Sequence, residues 1–258
     1  MTEWQVRAIE LLAERYRFGS GSLHVHKVSA LASSIFDQLT ALSLLPHLSQ
    51  SHRRLLVAAG YARDLGKSPL ALDDISDLSL PLPPDCPEDD PQFVSFLTLQ
   101  VQLDSQMCPI TIPSLDPVDR SVLLYSILSS GSSRVEEVEG EPLHDGFATQ
   151  TLGGILRIAD GLDVRHRLMV QGVELRRASR WIRLLVRTFD EARVEVAAAQ
   201  DRADMLSNTI GLRVFVQEMV DGSTKPGWAP AHSLPAIDER VVDLEEWNRE
   251  PVKTRTYI

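Results

Sequence analysis

Cysteine is nearly missing from this chain: 258 residues contain only Cys86 and Cys108. Two thiols are too few for a disulfide framework or a cysteine-rich zinc cluster, and such usage fits a reducing compartment. Aromatic residues are sparse, at 6%. No apolar run reaches the roughly 20 residues that cross a bilayer. Met1 leads straight into charged, amphipathic sequence, without the apolar core of a secretory signal. The expectation is therefore a cytoplasmic protein with no membrane partner. Positive charge is in the minority, with 26 Lys and Arg against 36 Asp and Glu and a net charge of −10. Binding to duplex DNA relies on a cationic surface, so DNA is not an expected partner. No glycine-rich phosphate loop followed by a carboxylate is found. What the chain does have is 43% hydrophobic residues, enough for one good core or two smaller ones.

Those hydrophobic residues fall mostly at helical spacing. "TEWQVRAIELLAERYRFG" opens with Thr2 and Gln5 at capping-box spacing and carries Trp4, Ile9, Leu11, Leu12 and Tyr16. "SLHVHKVSALASSIFDQLTAL" and "SQSHRRLLVAAGYARDLG" predict two further helices. Residues 68–90, rich in Pro, Asp and Ser, read as an acidic loop. "PQFVSFLTLQVQL" fits a helix or a strand equally well. Asp116 followed by Pro117 predicts a helix start. "FATQTLGGILRIADGLDVRHRLM" reads as a buried helix. After Met169 the pattern changes to two strands, one helix up to Gly211 and a third strand. The expectation is a mainly α protein: a helical bundle over 1–168, a small ββαβ domain of α/β type over 169–220, and a tail over 221–258.

Chemistry-bearing residues on the helices are few: His24, Asp64 and Asp160. Asp160 is flanked by apolar residues in "ILRIADGLD". A carboxylate in such a setting needs a cation or several donors. Arg63 sits immediately before Asp64 in "AGYARDLGK". An arginine stays charged and offers no lone pair to a metal.

Three segments, "HVHKVSALASSIFDQL", "LLVAAGYARDLGKSP" and "LGGILRIADGLDVRHRLMVQGVEL", come in an order that resembles the C-terminal region of the exopolyphosphatase / guanosine pentaphosphate phosphatase (Ppx/GppA) family. The resemblance covers roughly residues 5–220 and is weakest over 68–150. It implies an HD-type helical domain followed by a small α/β domain. It places His24 on the first histidine of the HD pattern, Asp64 on the aspartate of the HD dipeptide and Asp160 on the final aspartate. It places His166 on a histidine that often follows. Arg63 stands where the HD histidine belongs, and the family's later histidine cluster has no counterpart. A literal His-Asp pair in "PLHDG", residues 142–146, lies in an acidic loop and reads as a turn. The family's exopolyphosphatase chemistry belongs to actin-like domains that no segment here resembles, so that activity is not implied.

The resemblance thus implies a degenerate site, with Arg63 supplying the charge that a metal would bring. No cofactor is expected on this reading. The alternative is an active metal-dependent phosphohydrolase using Mn or Mg held by rearranged ligands. A second alternative is a homodimer-forming scaffold. Between Gly153 and Arg193 nine arginines stand against five carboxylates. This local excess suits a phosphate-rich ligand such as polyphosphate or a nucleotide, or an acidic partner, and equally a solvated strand face neutralised by the acidic loops at 73–90 and 136–141. A catalytic protein partner is the other expected partner. Lys67, Arg157, Arg165, His166 and Arg167 are the candidate phosphate contacts. His26, His47, His52 and His232 read as surface or capping residues, and Trp4, Trp181, Trp228 and Trp247 as packing residues.

Overall fold

The computed structural model describes residues 1–16, 21–76, 90–104, 112–131 and 145–219. Cys86, Cys108, His144, His232, Trp228, Trp247 and the expected 221–258 tail lie outside the described residues, as does most of the expected 68–90 loop. Among the described residues the chain is mainly helical and ends in a small three-stranded mixed sheet. The helices are α1 (Glu3–Arg15), α2 (Gly21–Ala41), α3 (Gln50–Ala62), α4 (Pro69–Ser76), α5 (Pro91–Asp104), α6 (Pro117–Ser129), α7 (Gly146–Gly161), α8 (Arg193–Asp201) and α9 (Asp204–Ile210). The strands are β1 (Val170–Arg177), β2 (Trp181–Thr188) and β3 (Arg213–Glu218). No helix among the described residues is long and apolar enough to cross a membrane.

The helix starts follow local chemistry. Thr2 and Gln5 close a reciprocal capping box on α1. Ser49 and His52 do the same for α3, so His52 is a capping residue. Asp116 caps α6, with Pro117 in its first turn. Asp145, the aspartate of the "PLHDG" dipeptide, accepts from the Ala148 N–H and caps α7. That carboxylate is committed to helix initiation. "PQFVSFLTLQVQL" resolves as helix: Phe93, Val94, Leu97 and Leu99 are all buried on α5.

Three expectations are corrected. The 68–90 stretch is not loop throughout, because α4 occupies its first part. Pro69 suits a first helical turn, and Ala71 and Ile75 lie at i, i+4 against the core. The helix expected up to Gly211 breaks into α8 and α9 at Arg202 and Ala203, with Gly211 closing α9 in the left-handed conformation at φ 68°. Trp4 does not pack: it is 71% exposed. On α1 the buried stripe is Ile9, Leu12 and Tyr16, and Trp4 and Leu11 fall outside it.

One cluster of buried side chains runs through the bundle and into the sheet. It includes Phe36 and Leu39 of α2, Leu55 and Leu56 of α3, Leu123 and Ile127 of α6, and Leu152, Ile155 and Leu156 of α7. It continues through Ala199 of α8 and Leu206 of α9 to Leu175, Ile182, Leu184, Val186, Val214 and Val216 of the sheet. The C-terminal end of α7 meets α8 at backbone distance: a Cβ on Gly161 would lie 2.7 Å from the Ala199 Cα. That approach sets where the end of α8 can reach.

The sheet has the order β1-β2-β3, with β1 antiparallel and β3 parallel to β2. Both of its edges carry a glutamine. On the β1 edge, Gln38 of α2 donates to the Val173 carbonyl (2.9 Å) and accepts from the Leu175 N–H (2.8 Å). On the β3 edge, Gln200 of α8 accepts from the Val216 N–H (2.7 Å) and donates to the Val214 carbonyl (3.3 Å). A side-chain amide has the same donor and acceptor as a peptide, so each glutamine acts as one residue of an extra strand. Unpaired edge groups are thereby blunted. Replacing Gln38 by Ala strands one donor and one acceptor. The expected cost is about 2 kcal/mol in urea unfolding, with an unchanged denaturant slope; no loss of stability would show that water replaces the glutamine at no cost.

Candidate functional site

Four elements converge on one buried carboxylate. α7 is apolar around Asp160, with Leu156, Ile158, Ala159 and Leu162 all buried, so its carboxylate has little access to water. α3 ends on Arg63, whose N–H bonds the Ala59 carbonyl, and Asp64 follows at the start of a 3-10 turn, Leu65–Lys67. This turn is held against α5. The Gly66 N–H donates to the Ser95 hydroxyl (2.8 Å), which lies 2.7 Å from the Arg63 carbonyl. A Cβ at Gly66 would meet the Pro91 carbonyl at 2.3 Å, so a close approach to α5 demands the glycine of the "GK" pair. His24 comes from the first turns of α2, and Arg202 from the end of α8.

Arg63 is 2% exposed and its Nη1 donates to Asp160 Oδ1. The same nitrogen lies 3.8 Å from Asp64 Oδ1. Arg202 Nη1 donates to the other oxygen, Asp160 Oδ2. Asp160 therefore has a guanidinium on each oxygen. Lys67 Nζ sits 2.9 Å from Asp64 Oδ1. His24, 1% exposed, places Nε2 at 3.2 Å from Asp160 Oδ1 and 3.6 Å from Asp64 Oδ2. Its Nδ1 lies 2.9 Å from Asp163 Oδ2. Three carboxylates thus alternate with Arg63, Lys67, Arg202 and His24.

The His24 ring faces carboxylate oxygens through both nitrogens. A neutral imidazole has a single N–H, and a carboxylate accepts only, so both contacts are satisfied together by the imidazolium. Burial pulls the His24 pKa down, but hydrogen bonds to Asp160 and Asp163 outweigh it and leave the group above its ordinary 6.5. Burial raises the Asp160 pKa, and Arg63, His24 and Arg202 overturn that effect and hold it well below the carboxylate range. Asp64 follows the same pattern, with Arg63 and Lys67 overcoming burial.

His166 lies over this cluster. Its ring stacks on His24 with centroids 3.9 Å apart and planes 10° from parallel. Burial and the neighbouring His24 charge depress its pKa. The turn that delivers it adopts left-handed backbone at two non-glycine residues, His166 (φ 54°) and Leu168 (φ 56°). Such residues cost on the order of 1 kcal/mol each or more. Asp163 holds the turn: its Oδ1 accepts from the Leu168 N–H (2.8 Å) while Oδ2 faces His24. Arg165, next along, makes a two-pronged bond to the Glu195 carboxylate at 2.7 Å per contact.

The structure brings His24, Arg63, Asp64 and Asp160 together. It does not gather the five candidate phosphate contacts into one open site. Lys67 is paired with Asp64, Arg157 with Asp204 (3.5 Å) and Arg165 with Glu195, and His166 stacks on His24. Arg167 is exposed and makes no ion pair among the described residues. Two members of the cluster escaped the sequence reading, Asp163 and Arg202. Asp163 was legible as a second aspartate three residues after Asp160, at the spacing of one helical turn. Arg202 carried no local signal, because its role depends on how α8 docks.

The chemistry of the donor set argues against a divalent ion. Asp160 Oδ1 is the oxygen toward which His24 Nε2 converges, and it is taken by a permanent cation from the chain. A second cation would be opposed by Arg63, Lys67 and Arg202. Elsewhere, Glu10, Glu14 and His26 come close enough on the surface to share an ion, but exposed acidic groups commonly gather without one.

Arg63→Ala leaves the buried Asp160 with one guanidinium instead of two. The expected loss is about 3 kcal/mol or more in chemical unfolding, and a loss under ~0.5 kcal/mol would show that Arg202 suffices. His24 has a folded pKa above its ordinary value, so the stability it adds is complete below about pH 6.5 and is lost as pH rises through the folded value. Asp160 and Asp64 have depressed values, so theirs is complete above about pH 4 and is lost as pH falls. Urea melts from about pH 5 to 9 are expected to show falling stability above neutrality, and His24→Gln is expected to flatten that slope. An unchanged slope would remove His24 as its source.

No family model matches this sequence, and no curated protein matches it.

Proposed function

We propose that this chain is a non-catalytic counterpart of the Ppx/GppA C-terminal region: a degenerate HD-type domain in which Arg63 has taken the place of the metal. Its role is to bind a phosphate-rich ligand or to regulate a catalytic partner supplied in trans. The observation that carries this reading is the Arg63 guanidinium on Asp160 Oδ1, with His24 and Asp64 beside it. An HD hydrolase uses its metal to generate hydroxide and to draw charge off the phosphoryl oxygens. A guanidinium neutralises the carboxylates equally well but has no coordination site for water. Arg202 and Lys67 complete the neutralisation, so the carboxylates are left with no charge for an incoming cation to balance.

The reading also accounts for the turn that carries His166. In a hydrolase, a histidine at the mouth of the site would be expected to reach substrate or metal. Here its ring stacks on His24 instead.

The dialysed protein, supplied in turn with manganese, magnesium and cobalt, is expected to turn over neither polyphosphate nor nucleotides. Arg63→His is expected not to restore hydrolysis, because Arg202 and Lys67 still oppose a divalent ion. Hydrolysis by the unmodified protein that Asp64→Ala abolishes would overturn the proposal in favour of a metal-dependent phosphohydrolase. Metal content of the purified protein offers an independent check, with less than stoichiometric transition metal expected.

A further inference from the structure

The sheet turns its second face away from the core, and the residues on that face have a common chemistry. Cross-strand partners share a face, and alternate residues along a strand do the same. Ile182, Leu184 and Val186 of β2 point into the core with Leu175, Val214 and Val216. The residues between them therefore point the other way. Arg183 stands opposite Arg176 on β1 and Phe215 on β3, Trp181 stands opposite Arg213, and Arg187 opposite Gly172. Leu185, in the middle, is 8% exposed yet belongs to neither of the hydrophobic clusters.

This face is charged in a way the fold does not require. Arg176 and Arg183 are directly opposite each other in an antiparallel pair, an arrangement that costs stability. Glu174 offsets one of them, through Arg176 Nε at 2.8 Å. The Arg183 guanidinium carbon lies over the Trp181 ring, 4.9 Å from its centroid. Arg187, on the same strand four residues further on, is exposed and makes no ion pair among the described residues. The two arginines are thus about 13 Å apart along one strand. Four arginines, one glutamate and two half-buried aromatic rings share this face of a protein whose overall charge is negative.

We propose that this outer face of the sheet binds single-stranded nucleic acid, with arginines taking phosphates and the Trp181–Arg183 stack and the Phe215 ring taking bases. Charge complementarity requires a polyanion. The aromatic rings select one that carries bases. An acidic peptide or inorganic polyphosphate would use the arginines and leave the rings without a partner. The guanidinium already held over the indole pairs a cation with a ring, a combination on which an incoming base can stack. Open sheet faces combining rings with cations suit single strands, whose bases are free to stack. The net negative charge of the whole chain disfavours a duplex, where phosphate contacts alone must suffice. The proposal is independent of the buried ion cluster and holds whether or not that cluster is inert.

The test is fluorescence anisotropy of the full chain with labelled single-stranded RNA and DNA, against a matched duplex and unlabelled polyphosphate as competitor. Binding of the single strands is expected to weaken with salt at a slope of about −0.7 per phosphate contacted. Arg183→Glu and Arg187→Glu are expected to reduce affinity about tenfold or more and to lower that slope. Trp181→Leu is expected to weaken oligonucleotides about tenfold while leaving competition by polyphosphate unchanged. Absence of single-strand binding at low salt would overturn the proposal. So would oligonucleotide affinity unchanged by Trp181→Leu, which would leave a surface for any polyanion. Unchanged affinity in the arginine variants would place binding elsewhere, with circular dichroism confirming that each variant is folded.

Discussion

The carboxylate of Asp160 governs how this molecule is put together. It sits on a largely buried helix and cannot stay charged there alone. Each neighbouring element answers that demand with a different group: α3 with Arg63, α2 with His24, and α8 with Arg202. The arrangement fixes the relative positions of three helices that have little sequence in common. It also joins the helical bundle to the sheet-bearing unit, because Arg202 reaches Asp160 only if α8 lies along the end of α7. Gly161 makes that approach possible at backbone distance.

A second constraint comes from the sheet. Three strands are a small number, and a small sheet has proportionally more edge to protect. Gln38 and Gln200 close both edges with side-chain amides, so the sheet ends in the helices on either side. Gln38 belongs to the "FDQL" segment, in which Phe36 and Leu39 are core residues and Asp37 holds Arg53 on the surface. Four consecutive residues therefore serve three purposes. One face of the sheet packs on the core, and its other face carries four arginines and two aromatic rings among the described residues.

These features separate two kinds of positive charge that look alike in a sequence. Arg63, Lys67, Arg165 and Arg202 are held by carboxylates of the chain itself, and their charge is neutralised where it is. Arg183 and Arg187 lie where no carboxylate among the described residues meets them. An excess of arginine counted along the chain speaks of possible association, but only the pairing decides which of those charges remain to act on another molecule.

Much of the framework could be read directly. The capping residues of α1 and α6, the change from helical to strand periodicity after Met169, and the demand of Asp160 for a cation all follow from local pattern or from the cost of burying charge. So did the use of Arg63 as the charge that answers a carboxylate of this site, though not the choice of Asp160 over Asp64 as its hydrogen-bond partner. The short helix α4, the break between α8 and α9, the left-handed turn at His166 and Leu168, and the exposure of Trp4 were not legible. The turn depends on the Leu168 N–H bond to Asp163, and helix α4 and the α8–α9 break depend on docking against distant segments, which outweighs propensities worth only tenths of a kcal/mol per residue. The same holds for Arg202 and for the two edge glutamines. The sequence by itself determined which residues must be buried and which buried charge would need a counter-charge, because burial and desolvation act on each residue where it stands. Only the tertiary structure decided which cation answers which carboxylate and which face of the sheet packs on the core, because those are set by how helices and strands dock.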